Sequence, residues 1–456
     1  MKIEQRSVDF IPEDERYGKP SSLFNIWFAG NMHVTTLVTG ALVVTFGLNL
    51  FWSVLALILG NCLGAIFMAL HSAQGPKLGI PQMIQSRAQF GVYGAAIPIV
   101  IVILMYLGFF ASSNVLGSEV LSSTLSISPN VSVILFSIVA FFIALFGYDL
   151  IHKMQKYLTW IFIIVFAIVT VIVFRMPLPA GSWSMSGFNP AAFMLSVSVV
   201  ATWQLTYAPY VADYSRYLPI NTSTSKSFWY TYCGSVIGTF WMMLLGVILT
   251  IAVPHYLDHA SSNLAHLFGT FALIMFVIIF LGQISIDVYN LYGAFMSSTT
   301  AIQPFFNLKV TPKVRLILLL CITVIGTLLA IWGRHSFLAF FSNFILFLTY
   351  FLIPWTTINL VDFYLLRRGH YNTQDVFDGN GQYGKINWIT TVAYIVSILA
   401  EIPFINTSFY MGPIAHALNG ADLAWIIGLI IPGVLYYFPM KRQIRINTSN
   451  MQNKGI

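Results

Sequence analysis

The chain has 456 residues, of which 57% are hydrophobic and only 8% are charged. This composition excludes a soluble globular protein, in which about 25% of the residues are charged. A bilayer core of ~30 Å requires ~20 apolar residues per helix, so the length allows about a dozen transmembrane helices. The polar start of the chain lacks the apolar middle and the small-residue cleavage site of a secretory signal, and we expect it to remain as a short tail.

Twelve apolar runs are predicted to be transmembrane helices, because each is continuous and does not alternate as a β-barrel strand would. They cover residues 24–48, 51–70, 95–122, 131–148, 157–175, 190–212, 229–253, 268–299, 315–333, 337–363, 387–404 and 422–439. The polar stretches between them are too short for a soluble domain. We therefore expect one transmembrane domain over 24–439, with cytoplasmic tails over 1–23 and 440–456.

The orientation is predicted from the basic residues, because Lys and Arg concentrate in the cytoplasmic loops of membrane proteins. With the N-terminus in the cytoplasm and twelve spans, only Arg175 and Arg334 of the 22 basic residues fall outside. Adding or removing one span would destroy this asymmetry. The net charge of +7 therefore indicates topology and not nucleic-acid binding. We expect a multi-pass protein of the cell membrane with both termini in the cytoplasm.

The first run contains residues that interrupt a helix. Gly30 and Asn31 follow Ala29 within the apolar stretch, and both are poor helix formers. Local unwinding would free carbonyl groups that bind a cation and helix ends that face a substrate. The alternative is ordinary packing of small residues between helices.

The sixth run places an aromatic ring beside an amide. Trp203, Gln204, Thr206 and Tyr207 lie within about one turn, and Pro209 removes a backbone donor. A flat heteroaromatic ring needs this combination, since its face stacks on the aromatic side chain and an amide pairs with its edge. For Trp203 alone, core packing or an interfacial position is an equal alternative. Interruptions in the first and sixth runs together are typical of an inverted-repeat transporter.

The eighth run carries polar groups deep in an apolar context, namely Gln283, Ser285, Asp287 and Asn290. Asp287 and Asn290 are three residues apart and share a helix face. A carboxylate at this depth indicates function by default. The alternative is a structural ion pair, but no Lys or Arg lies at a comparable depth in the sequence.

Other classes of function are poorly supported. The chain has no HExxH, no CxxC and no serine nucleophile elbow, so we expect no enzyme activity and no cofactor. A channel would need a repeated filter or a ring of charges, and ATP-driven transport would need a phosphate-binding loop. Cys62, Cys233 and Cys321 lie in apolar runs and are expected to be small buried hydrophobic residues. We expect no obligate protein partner beyond the lipid bilayer.

Several segments in order along nearly the whole chain resemble the nucleobase:cation symporter family, and specifically its purine–cytosine permease branch. The segments are GIPQMIQSRAQFGVYGAAIP (79–98), ADYSRYLP (212–219), DVYNLYG (287–293), DFYLLRRGHY (362–371) and YGKINW (383–388). The resemblance implies an all-α polytopic fold with two inverted five-helix repeats and two extra helices, the first and sixth helices being discontinuous. It also implies a substrate site between the first, third, sixth and eighth helices.

The resemblance assigns roles to individual residues. Trp203 would stack on the substrate and Gln204 would pair with its edge; Phe109 or Phe110 would be the aromatic residue of the third helix. Asn290 would be the contact from the eighth helix. The full set of expected substrate-binding residues is Trp203, Gln204, Asn290, Phe109, Phe110, His33 and Tyr207.

The coupling cation is expected to be a proton or a sodium ion. By resemblance, a sodium ion would be held by the carbonyl groups of Ala29 and Met32 and by Ser285. Sodium-coupled relatives place two adjacent hydroxyl residues on the eighth helix, whereas Ser285 is followed here by isoleucine. Asp287 and His33 would instead form a protonatable pair, which favours protons. We therefore expect a secondary symporter that imports cytosine or purines. A permease for allantoin, a hydantoin or hydroxymethylpyrimidine is the alternative.

Overall fold

A computed structural model describes residues 10–146, 148–306 and 310–453. It describes the side chains of these residues except at 146–157 and 447–453. The described part of the chain is helical and contains no β-strand. Its helices are α1 (Ser21–Ala29), α2 (Val34–Thr45), α3 (Leu50–Ser72), α4 (Gln74–Leu78), α5 (Gln82–Phe90), α6 (Ala96–Leu125), α7 (Pro129–Phe146), α8 (Tyr148–Val173), α9 (Pro190–Leu205), α10 (Val211–Ser215), α11 (Thr224–Ala252), α12 (Ala260–His266), α13 (Ala272–Phe306), α14 (Pro312–Gly333), α15 (Phe337–Leu360), α16 (Trp388–Glu401), α17 (Pro413–Ala417) and α18 (Ala424–Asn453).

Each predicted apolar run overlaps at least one of these helices, and the all-α fold is confirmed. Within the described residues, seven helical stretches are long and apolar enough to cross a membrane, or eight if α1 and α2 form one span. One of them, residues 312–366, contains two predicted runs. The count of twelve spans remains a prediction. Of the residues used to predict the orientation, Lys2, Arg6, Lys309 and Lys454 lie outside the described residues, as do the side chains of Lys153 and Lys156.

The predicted interruption of the first run is confirmed. Helix α1 ends at Ala29, α2 begins at Val34, and the two are bent by 67°. His33 between them has extended backbone, with φ −149° and ψ 163°. The sixth run is also interrupted: α9 ends at Leu205, and a 3-10 turn over Ala208–Tyr210 precedes α10. Pro209 lies in that turn, where its missing N–H costs no helical hydrogen bond.

Close helix packing holds the two interrupted helices in place. Helix α3 packs along α9, and α11 packs along α1, α2 and α3. Gly64 of α3 lies directly against the backbone of Ala201, and Gly246 of α11 lies against the carbonyl group of Leu37. A Cβ atom at either glycine would collide with that backbone. Small residues allow this close approach, as is common between membrane helices.

Most of the buried hydrophobic residues form two large cores. One core is built mainly around α2, α3, α9 and α11, and the other around α6, α13, α14 and α15. Phe109 and Tyr210 pack against both cores. The expectation that all three cysteines are buried is wrong, since Cys321 is exposed and the other two are half-buried. Cys321 has little to pack against because its side of α14 faces away from the bundle.

Candidate functional site

A cavity of about 550 Å³ lies where the two interrupted helices face α6, α8 and α13. This volume is within the range of small-molecule sites, about 300–1,000 Å³. Six of the residues expected from the sequence line it: Ala29, His33, Phe109, Trp203, Tyr207 and Asn290. The fold therefore brings together residues that are up to 261 positions apart in the chain, because both helix interruptions open onto the same space.

The cavity has aromatic walls. The ring of Phe109 meets that of Trp203 edge-on, with centroids 5.5 Å apart and an angle of 87° between the planes. The His33 ring lies 6.0 Å from Trp203. Trp27 of α1 also lines the cavity and packs against Tyr207, with centroids 5.3 Å apart. Such surfaces offer several ring faces to a flat guest, and stacking of a base on an aromatic ring contributes ~1–3 kcal/mol.

Asn31 connects the two helix interruptions. Its Oδ1 accepts hydrogen bonds from Trp203 Nε1 at 3.0 Å and from the Tyr207 hydroxyl at 2.6 Å. Its Nδ2 donates to the carbonyl oxygen of Trp27 at 2.7 Å. Asn31 is fully buried, so these bonds fix the orientation of two aromatic walls. The sequence identified Asn31 only as a helix breaker, because its partners Trp203 and Tyr207, 172 and 176 positions away, gave no local signal.

Three buried polar atoms at the cavity have no hydrogen-bond partner within the described structure: His33 Nδ1, Asn290 Nδ2 and Trp27 Nε1. All three residues line the cavity. The other ring nitrogen of His33 is 3.2 Å from the Thr36 hydroxyl. A buried polar group without a partner costs ~1–3 kcal/mol. A guest whose ring edge carries both donors and acceptors would remove that cost.

Asp287 lies beside the cavity and is fully buried. It accepts a hydrogen bond from the Ser113 hydroxyl, and its Oδ2 has no partner in the described residues. Ser113 itself lines the cavity. Gln283, one turn away, donates from Nε2 to the Ser113 carbonyl oxygen at 3.2 Å and to Thr35 Oγ1 at 3.0 Å. The hydroxyl group of Ser113 on α6 thus links the carboxyl group of Asp287 on α13 to the cavity.

Other expected residues lie behind the cavity wall. The side-chain amide of Gln204 donates hydrogen bonds to Asn61 at 2.8 Å and to Thr239 at 3.0 Å. It accepts one from the Ser235 hydroxyl at 2.5 Å. These bonds join α9 to α3 and α11. Phe110 packs against Gly326 of α14. Three further residues are buried and do not line the cavity, namely Met32, Ser285 and Asp287. The carbonyl oxygen of Ala29 accepts the N–H of Met32 at 3.0 Å.

Comparison with known proteins identifies the family of this chain. The family described as "Permease for cytosine/purines, uracil, thiamine, allantoin" matches residues 10–428. YxlA of Bacillus subtilis (strain 168), a provisionally named purine-cytosine permease, is 56% identical over 98% of this chain and 97% of its own length. The purine-cytosine permease fcyB of Emericella nidulans is 27% identical over 96% of this chain and 88% of its own.

A solved structure shares the fold. Mhp1, a nucleobase-cation-symport-1 family transporter solved closed with bromovinylhydantoin bound, superposes with a TM-score of 0.78. The match covers 98% of this chain and 97% of Mhp1 at 18% identity. The protein is therefore a multi-pass membrane transporter for small molecules and not an enzyme, and it belongs to the family of permeases for cytosine, purines, uracil, thiamine and allantoin.

Proposed function

We propose that this protein is a secondary active symporter that imports a nucleobase, cytosine or a purine, together with a cation by alternating access. The observation that carries the proposal is one cavity that combines aromatic faces with unpaired polar atoms and adjoins a buried carboxyl group. The names of the relatives from Bacillus subtilis and Emericella nidulans support the substrate class.

The substrate ring would lie between Trp203 and Phe109, with its edge toward Asn290 and His33. Each of these four residues lines the cavity. Asn290 can donate and accept at once, as the mixed edge of a nucleobase requires. His33 adds a ring nitrogen whose role depends on its tautomer. Gln204 contributes indirectly, because its hydrogen bonds hold the helix that carries Trp203.

A different small ring remains the second candidate for the substrate. Allantoin, hydantoins and hydroxymethylpyrimidine have similar size and polar edges. The hydantoin bound to Mhp1 supports this candidate, since the two proteins share a fold. The nucleobase is favoured because the relative at 56% identity is named for purines and cytosine.

The coupling cation in this proposal is a proton. Asp287 is buried, and no basic side chain forms an ion pair with it in the described part of the chain. Burial without a counter-charge favours the neutral form of a carboxyl group. A proton taken up on one side and released on the other would couple to the substrate through Ser113. Under the sodium alternative, Ala29, Met32 and Ser285 would supply the oxygen ligands.

The proposal places the protein in the cell membrane with both termini in the cytoplasm. Asn25 and Trp160 line the cavity near the starts of the predicted spans 24–48 and 157–175, and Tyr214 lines it near the end of α10. This orientation places all three positions toward the cytoplasm. The cavity would then be open to the inside, as expected for the state that releases an imported substrate.

Uptake of radiolabelled cytosine and adenine by cells that express the protein tests the proposal. Accumulation that an uncoupler abolishes is expected for a symporter. A competition panel of cytosine, adenine, guanine, hypoxanthine, uracil, allantoin and hydroxymethylpyrimidine then identifies the substrate. Competition by allantoin or hydroxymethylpyrimidine alone would favour the second candidate, and uptake that only equilibrates would contradict symport.

A further inference from the structure

A second, smaller cavity of about 110 Å³ adjoins the main one. Residues of α5, α6, α10 and α13 and of the 3-10 turn before α10 line it. Tyr210, Tyr214, Tyr289 and Asn290 line both cavities. The two spaces therefore share a wall.

The walls of this smaller cavity are rich in tyrosine. The rings of Tyr106 and Tyr210 lie 5.6 Å apart, and Tyr289 and Tyr292 add two more rings from α13. Gly293 is required here, because a Cβ atom at that position would collide with the ring of Tyr106. We call this space the tyrosine chamber. Tyr210 stands at its border, since its ring also lies 6.0 Å from Trp27 of the main cavity.

Polar groups of the chamber match the edge of a heteroaromatic ring. The unpartnered Nδ2 of Asn290 belongs to a residue that lines both spaces and is 9% exposed. Asp213 also lines the chamber, and its Oδ1 accepts the N–H of Gln82 at 2.8 Å, which ties α10 to the start of α5. The chamber thus offers an amide donor between aromatic faces, while the carboxylate of Asp213 in its wall is engaged with the protein.

The volume of the chamber limits the size of the ligand that it can bind. Its volume is several times the ~10–15 Å³ that one water molecule needs and well below the ~300–1,000 Å³ of a drug-sized site. One small planar molecule fills such a space. The chamber lies toward Arg216 and the C-terminal part of α13, which is the side that the charge distribution assigns to the cytoplasm.

We propose that the tyrosine chamber is a second binding subsite for the same small heteroaromatic ring, occupied after the main cavity on the route to the cytoplasm. The inference rests on the proposed function for its substrate class and goes beyond it in assigning a separate site. The substrate ring passes Tyr210, which lies between the two cavities, and Asn290 pairs with the edge of the substrate ring in either cavity.

Protection of introduced cysteines tests this proposal in the purified full-length protein reconstituted in lipid nanodiscs. The natural cysteines are replaced by serine, and one probe is added at a time. Thr206→Cys reports the main cavity, and Met296→Cys reports the chamber alone. The rate of maleimide labelling is measured against cytosine and adenine concentration. Both probes should be protected, with different half-protection concentrations.

Two further variants separate the sites. Trp203→Ala should raise the half-protection concentration at 206 by roughly 5- to 150-fold and leave that at 296 unchanged. Tyr106→Leu, which keeps apolar bulk in the chamber wall, should do the reverse. Protection at 206 with none at 296, or a parallel shift of both probes in Trp203→Ala, would overturn the second subsite. Protection at neither position would contradict the proposed substrate class and the subsite with it.

Discussion

Trp203 and Asn290 are the residues on which the substrate site most depends, because one supplies a ring face and the other an unpaired amide. We predict that Trp203→Ala and Asn290→Ala each weaken substrate binding by ~1–3 kcal/mol. Binding of labelled substrate to purified protein measures this. Trp229→Ala is a matched control, since Trp229 is exposed on α11 and does not line the cavity. Unchanged affinity in both site variants of a properly folded protein would rule the site out.

Asn31 should stabilise the site through its shared oxygen atom. Asn31→Ala leaves the donors of Trp203 and Tyr207 without their acceptor, at ~1–3 kcal/mol for each buried group. We therefore expect a lower midpoint of thermal unfolding and weaker substrate binding.

A double-mutant cycle with Tyr207→Phe tests this contact. Because Asn31→Ala already removes the partner of the hydroxyl group, Tyr207→Phe should cost less stability in that background than in the wild type. Additive losses in the two variants would show that the hydrogen bond contributes nothing to stability.

The sequence predicts which residues lie near the site, but it does not predict which partners their side chains contact. The sequence offered Phe109 or Phe110, and only the packing of α6 against both cores decides that Phe109 lines the cavity while Phe110 faces α14. Gln204 was predicted to pair with the substrate, but its amide is engaged by Asn61, Thr239 and Ser235 from two other helices. Contacts between residues so distant in sequence leave no local pattern.

At the scale of elements, both helix interruptions were predictable, because Gly30 and Asn31 are poor helix formers and Pro209 lacks the N–H that a continuous helix would use. The bend of the chain at each interruption was not predictable from the sequence. The first interruption bends the chain by 67°, whereas residues 190–215 remain one span. The bend depends on how α1 and α2 pack separately against α11, and this packing is a long-range property.

Close packing of α3 against α9 gives a prediction for a single glycine. Gly64→Ala places a Cβ atom against the backbone of Ala201. Alanine is preferred over glycine within a helix by ~0.5–1 kcal/mol. We nevertheless expect the variant to be less stable, because the Cβ atom forces the two helices apart. Gly433→Ala is the matched control, because its Cβ atom would lie 3.4 Å from a methyl group of Thr357. Thermal unfolding in detergent compares the two, and equal stability would contradict the close approach.

For the whole molecule, composition alone predicts a helical membrane protein, since 8% charged residues cannot cover a water-exposed surface. The resemblance of separate segments extends this to a family and a fold, which the match over residues 10–428 and the likeness to Mhp1 confirm. The cation and the exact substrate do not follow from these, because a few side chains determine them and the fold tolerates many such sets.

Topology is testable with a thiol reagent that does not cross membranes. In a chain without its natural cysteines, Met176→Cys should react in intact cells because residue 176 follows Arg175 on the predicted outer side. Gln155→Cys should react only after the membrane is permeabilised. The opposite pattern would reverse the orientation and place the cavity mouth outside.

Transport by purified protein in liposomes under imposed gradients tests the central claim, proton-coupled uptake of a nucleobase, most directly. With sodium absent and the outside more acidic, labelled cytosine or adenine should accumulate above its external concentration, and the effect should grow as external pH falls. Asp287→Asn should abolish this accumulation and retain exchange of substrate across the membrane, since the variant keeps the cavity and loses the proton site. Accumulation that follows a sodium gradient at equal pH, with no response to a proton gradient, would contradict the account.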